Sequence, residues 1–389
     1  MHFSDRTDWE ATLNRVTAVL NDLKKSGEQI YDLTVSNPTR CGFHFFNKTF
    51  LNALLDERGL MYDPDPYGMS NARQAVVQYY ASQGVDLRED QIFLTASTSE
   101  AYGFLFRLLV NPGQNVVFPK PSYPLFEFLS GIHDVQWRTY DLVYRKEWRL
   151  DGRNFRSAVN DQTRAVIVVN PNNPTGSCLN ADEIKRIYQA GLASDIPIIC
   201  DEVFLDYQYS PGCRTQTLAG EGAQLTFVLN GLSKLLALPQ MKCSWIAMSG
   251  PDHLVAEARR RLEIIADTYL SVNTPVQYAL PQWMLSRKQI QKEILDRVME
   301  NRLFLEEQLR LTGKRAKLLR ADGGWSAVIS CPGIEEEEFI LSLLTGQKVF
   351  IHPGYFFDFQ EAGYCVASLL PEKEIFQEGV RRLTDRIRA

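Results

Sequence analysis

Ala165-Val166-Ile167-Val168-Val169 runs straight into Asn170-Pro171-Asn172-Asn173-Pro174-Thr175-Gly176. An unbroken apolar run of this kind suits a strand buried on both faces of a sheet. The asparagines, prolines and glycine after it are turn formers. The pattern recurs: Ile196-Pro197-Ile198-Ile199-Cys200 leads into Asp201-Glu202, and Thr226-Phe227-Val228-Leu229 leads into Asn230-Gly231-Leu232-Ser233-Lys234. Each time the reactive residue types stand just past the strand's C-terminal end, in the crevice where open α/β sheets bind ligands. A fourth run, Phe93-Leu94-Thr95-Ala96, precedes Ser97-Thr98-Ser99 and a helical pattern from 100 to about 110. Hydroxyls there can cap the helix, and they can hold a phosphate, because free N–H groups and the positive dipole end meet at that point. Strands alternating with helices predict an α/β fold with a mostly parallel sheet.

At 389 residues the chain exceeds one ordinary core and is expected to form about two domains. Past Ser286 the pattern changes to a long charged helix, about 288–311, and then strand-like pieces around 325–330 and 347–352. A large domain is therefore expected over 46–284, with a smaller α+β domain over 285–389 joined by an N-terminal arm, 1–45.

Composition removes several classes. The net charge of −5 comes with no basic stripe, which argues against nucleic acid and anionic membranes. No apolar run approaches the roughly 20 residues of a membrane span, and Met1-His2-Phe3-Ser4-Asp5-Arg6 lacks a signal peptide's apolar core. Seven cysteines, scattered from Cys41 to Cys365, suit a reducing cytoplasm better than a disulfide framework. The five histidines (His2, His44, His133, His253 and His352) lie far apart, so no metal site is expected. There is no phosphate-loop motif, and Gly220-Glu221-Gly222 fails as a dinucleotide fingerprint because Leu225 stands where the last glycine belongs. Gly231-Leu232-Ser233-Lys234-Leu235 is no nucleophile elbow.

What remains resembles the class I/II aminotransferases, which are fold-type I pyridoxal-phosphate enzymes. The resemblance runs from about 32 to 370. It rests on four motifs in the family's order: Pro121-Ser122-Tyr123-Pro124, the 170–176 stretch, Asp201-Glu202-Val203-Phe204 and Ser233-Lys234. It implies a seven-stranded-type, mostly parallel sheet with helices on both faces. It also implies that Lys234 holds pyridoxal 5'-phosphate as a Schiff base and then moves the α-proton. Asp201 would keep the cofactor's ring nitrogen protonated. Asn173 would donate to its phenolic oxygen and also contact the substrate, and Tyr123 would stack on the ring. Ser97, Thr98, Ser99, Ser233 and Lys242 would hold the phosphate. Tyr62, in Tyr62-Asp63-Pro64-Asp65-Pro66-Tyr67-Gly68, would reach the phosphate of a second copy in a homodimer, where Ser271-Val272-Asn273-Thr274-Pro275 would also approach the partner's site.

The departures from the family are specific. Phe204 stands where a tyrosine is usual, Gly231 where a serine is usual, and Lys242 where an arginine is usual, losing a bidentate fork. In Gly363-Tyr364-Cys365-Val366-Ala367-Ser368-Leu369, Val366 replaces the arginine that grips the substrate carboxylate. Arg40, in Ser36-Asn37-Pro38-Thr39-Arg40-Cys41-Gly42, is the candidate substitute; its bland reading is an exposed charge or a partner of Asp32. The expected reaction is transfer of an amino group between an amino acid and a 2-oxo acid. A lyase or cyclase on the same fold is the alternative, and a cofactor-binding regulator without turnover is the third reading.

Overall fold

A computed structural model describes residues 2–9, 14–45, 47–210, 216–220 and 222–389. In chain order its strands are β1 (Tyr31–Asp32), β2 (Ile92–Thr95), β3 (Asn115–Lys120), β4 (Gln136–Tyr144), β5 (Trp148–Leu150), β6 (Thr163–Val169) and β7 (Ile198–Asp201). They continue as β8 (Thr226–Gly231), β9 (Ser244–Ser249), β10 (Lys317–Leu318), β11 (Ser326–Ser330), β12 (Val349–Phe350), β13 (His352–Pro353) and β14 (Tyr364–Ser368).

One sheet takes the order β2-β9-β8-β7-β6-β3-β4-β5. Strands β4, β3, β6, β7 and β8 run parallel. Strand β9 is antiparallel to both its neighbours, so β2 points the same way as the parallel set. The sheet therefore has one strand more than the seven-stranded type. The extra one is β5, a three-residue edge strand that turns back on β4. The continuous apolar runs have a direct cause in this arrangement. Val166 and Val168 of β6, Ile198 and Cys200 of β7, and Val228 of β8 enter one core, while Ala165, Ile167, Ile199, Phe227 and Leu229 enter the other. With side chains alternating across the pleat and both faces covered, every position is apolar. Each fully buried aliphatic or aromatic side chain contributes roughly 1.5–3 kcal/mol.

A second sheet, in the order β10-β11-β14-β13, is antiparallel throughout. The helices Arg287–Arg310 and Lys373–Arg388 pack together beside it. The N-terminal segment is tied in by β1, which runs parallel to β12. The stretch expected as one strand over 347–352 is divided. Gln347 ends a helical turn, Leu343–Gln347; Val349–Phe350 pairs with β1; and His352–Pro353 pairs with β14. The chain changes sheets at the buried Ile351, a switch that local propensity does not signal.

Among the described residues no helix is long and apolar enough to cross a membrane. Cys41, Cys200, Cys243, Cys331 and Cys365 are free and buried, Cys178 is buried, and Cys213 lies outside the described residues.

Candidate active site

A cavity of about 460 Å³ lies where the C-terminal ends of β6, β7 and β8 meet the second sheet. The loop after β6 shows how the sequence builds it. Asn170 Oδ1 accepts from Leu179 N at 3.0 Å. The Asn172 amide donates to Pro121 O at 3.1 Å and Thr175 Oγ1 at 2.9 Å. Gly176 has φ 64°, and a Cβ there would fall on the Gly323 carbonyl oxygen, so the position requires glycine. Its own carbonyl accepts from Asp322 N at 2.8 Å and Gly323 N at 3.0 Å. The loop is thereby docked on the segment entering β11. Asn173 alone of the three asparagines lines the cavity. Ser326 Oγ donates to its Oδ1 at 3.2 Å, which leaves the amide N–H groups to donate into the cavity.

Asp201 ends β7 and lines the same cavity. It accepts from Tyr102 OH at 3.2 Å and from Val203 N at 3.2 Å. Burial nonetheless pushes its carboxyl up to about 6, with both hydrogen bonds and Lys234 pulling the other way. A carboxylate held that high is short of a cation, and a protonated nitrogen arriving there would be bound well. Its neighbour Glu202 points away and is fully buried. There it accepts from Leu218 N at 2.7 Å and from the Thr217 hydroxyl, a structural role.

Lys234 lies in the short helix Leu232–Leu235 directly after β8. Its Nζ sits 5.2 Å from the Trp325 ring centroid and 5.7 Å from that of Phe204. Desolvation lowers its pKa, and the Asp201 charge only partly opposes this. The effect is to make a free, nucleophilic amine accessible. Tyr207 OH donates to the Lys234 carbonyl at 2.7 Å and fixes the backbone beneath it.

The opposite end of the cavity suits an anion. Ser97 caps the helix Thr98–Leu109, its Oγ accepting from Glu100 N at 3.1 Å, and its hydroxyl hydrogen stays available. Thr98, Ser99, Ser233 and Lys242 line the cavity with it. The departure at Gly231 has a structural counterpart. Gly231 pairs with Ser244 across β8 and β9. A Cβ on Gly231 would fall on the Ser244 hydroxyl and 2.9 Å from its Cα, and Ser244 lines the cavity. A hydroxyl is therefore present at this end, carried by the neighbouring strand.

The structure thus brings Lys234, Asp201, Asn173, Tyr123, Ser97, Thr98, Ser99, Ser233 and Lys242 to one cavity. It does not bring Tyr62 or Arg40 there. Tyr62 is 78% exposed, beside a separate small hollow that includes Ser271 and Val272. Arg40 is exposed on the turn Pro38–Arg40 and is not among the cavity's lining residues, and Asp32 pairs with Lys24 at 3.7 Å instead. The asparagine-capped turn on which it rides presents it to solvent.

Sequence reasoning missed Tyr102, Ser244, Trp325, Ser326, His352 and Ser368, all of which line the cavity. Tyr102 carried a usable signal, since it lies one helical turn after Thr98 and so on the same face. Ser244, Ser326, His352 and Ser368 stand on strands whose exposed face only the sheet register reveals, and Trp325 sits in the bend that enters β11.

Residues 41–374 match the model of the family described as aminotransferase class I and II. The chain is 25% identical over 378 residues to the glutamate-pyruvate aminotransferase of Haemophilus influenzae, a match covering 93% of this chain and 91% of that protein. It is 25% identical over 333 residues to the tyrosine aminotransferase of Mus musculus, covering 83% and 69%. Among solved structures, the alanine aminotransferase from Pyrococcus furiosus superposes with a TM-score of 0.88 at 25% identity over 99% of each chain. An aspartate aminotransferase double mutant of Thermus thermophilus shares the fold, with a TM-score of 0.85 at 19% identity over 99% of this chain and 100% of that one. With a family match spanning most of its length, the chain belongs to the class I and II aminotransferases.

Proposed function

We propose that the protein is a pyridoxal 5'-phosphate-dependent aminotransferase that moves an amino group between an amino acid and a 2-oxo acid. One observation carries this reading: Lys234, Asp201 and Asn173, from three separate strand ends, open on one cavity whose far end gathers hydroxyls, a helix N-terminus and Lys242. The residues fit the cofactor. Asp201 lacks a cation, Lys234 is a desolvated amine, and the Asn173 amide is pinned with its donors free.

When bound, pyridoxal phosphate supplies an aldehyde that joins to amines and a ring that accepts the electron pair left by a departing proton. Lys234 Nζ would hold the cofactor covalently and, once released by substrate, take up the α-proton and return it. Asp201 would keep a proton on the ring nitrogen. Asn173 would donate to the phenolic oxygen without help at position 204, since Phe204 has no hydroxyl. Tyr123 would cover the ring face. Ser97, Thr98, Ser99, Ser233, Ser244 and Lys242 would hold the phosphate by N–H, hydroxyl and ammonium donors. In this division of labour residues 46–284 carry the cofactor, and 285–389 with the arm 1–45 close over it. The named relatives transfer amino groups, which favours that reaction over elimination or cyclisation.

A homodimer in the cytoplasm completes the reading. Leu51, Leu55, Leu60, Met61 and Tyr62 are all more than half exposed within one short segment, an apolar surface of the kind that partners cover. Tyr62 is not among its own cavity's lining residues, as suits a residue serving a second copy. The buried free thiols suit a reducing compartment.

The test is spectroscopic. Purified protein should carry a visible cofactor band that an amino donor bleaches and a 2-oxo acid restores, while Lys234→Ala should show neither change. A bound cofactor whose band no donor bleaches would end the aminotransferase reading.

A further inference from the structure

Charge is distributed unequally in the cavity. Among its described lining residues the cations are Lys234 and Lys242 and the carboxylate is Asp201. On the reading above, which this inference rests on, all three serve the cofactor. The remaining wall is one face of the second sheet. Cross-strand register sets Val366 between Val328 and His352 and puts Ser368 beside Ser326. Partners in antiparallel register share a face, and Ser326, His352, Val366 and Ser368 all line the cavity. Thr34 and Ser36 close the edge of this wall, held by the bond from Ser368 N to Leu33 O at 2.7 Å.

None of these groups carries a charge near neutral pH. Val366 is 2% exposed and seals the middle of the wall. His352 packs against the rings of Phe350, Phe356 and Phe357 at 5.6–5.8 Å between centroids. That burial drives its pKa down to about 4, against the opposing pull of Asp32. Asp32 is itself engaged with Lys24 and Thr34. Two buried donors or acceptors at this wall have no protein partner, His352 Nδ1 and Trp325 Nε1. Arg297 is spent on the carbonyl oxygens of Cys41, Leu370 and Pro371.

A carboxylate pressed against such a wall would lose its water and gain no cation, which is costly. A hydroxyl or carboxamide loses less and can be matched by hydroxyls, an imidazole and an indole N–H. We propose that the preferred amino donor bears a neutral polar group, a hydroxymethyl or a carboxamide, where an amino acid has its carboxylate, with Val366 as the residue that sets this preference. The exchange balances as an amino group leaving such a donor, which becomes the matching carbonyl compound, and arriving on a 2-oxo acid, which becomes an amino acid. The 2-oxo acid meets the same neutral wall and is taken at high concentration.

The experiment compares alanine, alaninamide and alaninol, and then phenylalanine, phenylalaninamide and phenylalaninol, as donors to the holoenzyme, with pyruvate in excess as acceptor. The expected result is a kcat/KM at least tenfold higher for an amide or alcohol than for its acid. Val366→Arg should reverse the order by raising the value for the acid. A wild-type enzyme that takes the acid as well as or better than both neutral analogues overturns the proposal, and that comparison stands even if the buried arginine prevents folding. Should no donor of either kind bleach the cofactor band, the aminotransferase reading itself fails and this inference falls with it. An enzyme that turns over acids efficiently leaves that reading intact and removes only this one.

Discussion

The two walls of the cavity are built by different means. The cofactor wall comes from strand ends and what directly follows them: the loop 170–176 after β6, Asp201 ending β7, and Ser233-Lys234 in the short helix after β8. Its working atoms are charged or strongly polar, and distant elements steady them, Tyr102 holding Asp201 and Ser326 holding Asn173. The opposite wall comes from the pleated face of a small antiparallel sheet, with residues from Thr34 to Ser368, and it is neutral. The contrast teaches that the wall serving chemistry is fixed by short motifs, whereas the wall that selects the substrate is fixed by register and can be re-lettered without disturbing the first.

That contrast can be broken or sharpened by substitution. Changes in the cofactor wall should lower the rate for every donor by the same factor, and changes in the other wall should redistribute rates among donors. The largest effect is expected for Lys234→Ala, a loss of roughly 10⁴-fold or more for all donors, since both attachment and proton transfer go; single-turnover absorbance would measure it. Asp201→Asn should cost about 10²–10³ in kcat, the range seen when one preorganised electrostatic partner is removed. A loss confined to one donor class would contradict the assignment to the cofactor wall. Tyr62→Phe should weaken cofactor binding by about tenfold, as expected for a hydrogen bond to a charged group, with sedimentation still reporting a dimer. An unaltered affinity would remove Tyr62 from the phosphate site.

A pH-dependent effect separates Asp201 from ordinary surface carboxylates. Its folded-state pKa, about 6, lies above the usual 3.8. The protonated form is therefore the stabilising one, fully effective below about pH 4 and lost as pH rises through about 6. In cofactor-free protein, Asp201→Asn should change stability little near pH 4 and raise it by about 1–2 kcal/mol at pH 8, a figure discounted for the residue's contact with cavity water. Equal melting temperatures at pH 8 would show that the carboxylate is solvated. The smallest effect is expected where the walls touch. Ser326→Ala frees the Asn173 carbonyl and should cost about 0.5–1.5 kcal/mol in kcat/KM for every donor; a much larger loss would mean that the walls are not separable.

The sequence was legible wherever structure and chemistry were contiguous. The parallel sheet followed from apolar runs buried on both faces, and the nine residues that the family resemblance named line one cavity. The exposure of Arg40 was not legible, because a Pro-Thr-Arg turn reads the same whether its tip faces a cavity or solvent. His352 was invisible as a cavity residue because the chain changes sheets at Ile351, so no local periodicity marks which way its ring projects. The edge strand β5 was too short to stand out from the hairpin that makes it.

The pair formed by Gly231 and Ser244 carries a consequence for how such enzymes diverge. Between the paired positions of β8 and β9 there is room for one side chain. Two serines would collide, and two glycines would leave a void and forfeit a hydroxyl. A lineage moving the serine from one strand to the other must pass through one of these states, and the void is the passable one because a small gap costs less than an overfilled core. The two positions are therefore epistatic. A change at either, in evolution or in a mutant library, takes its sign from what the other already holds.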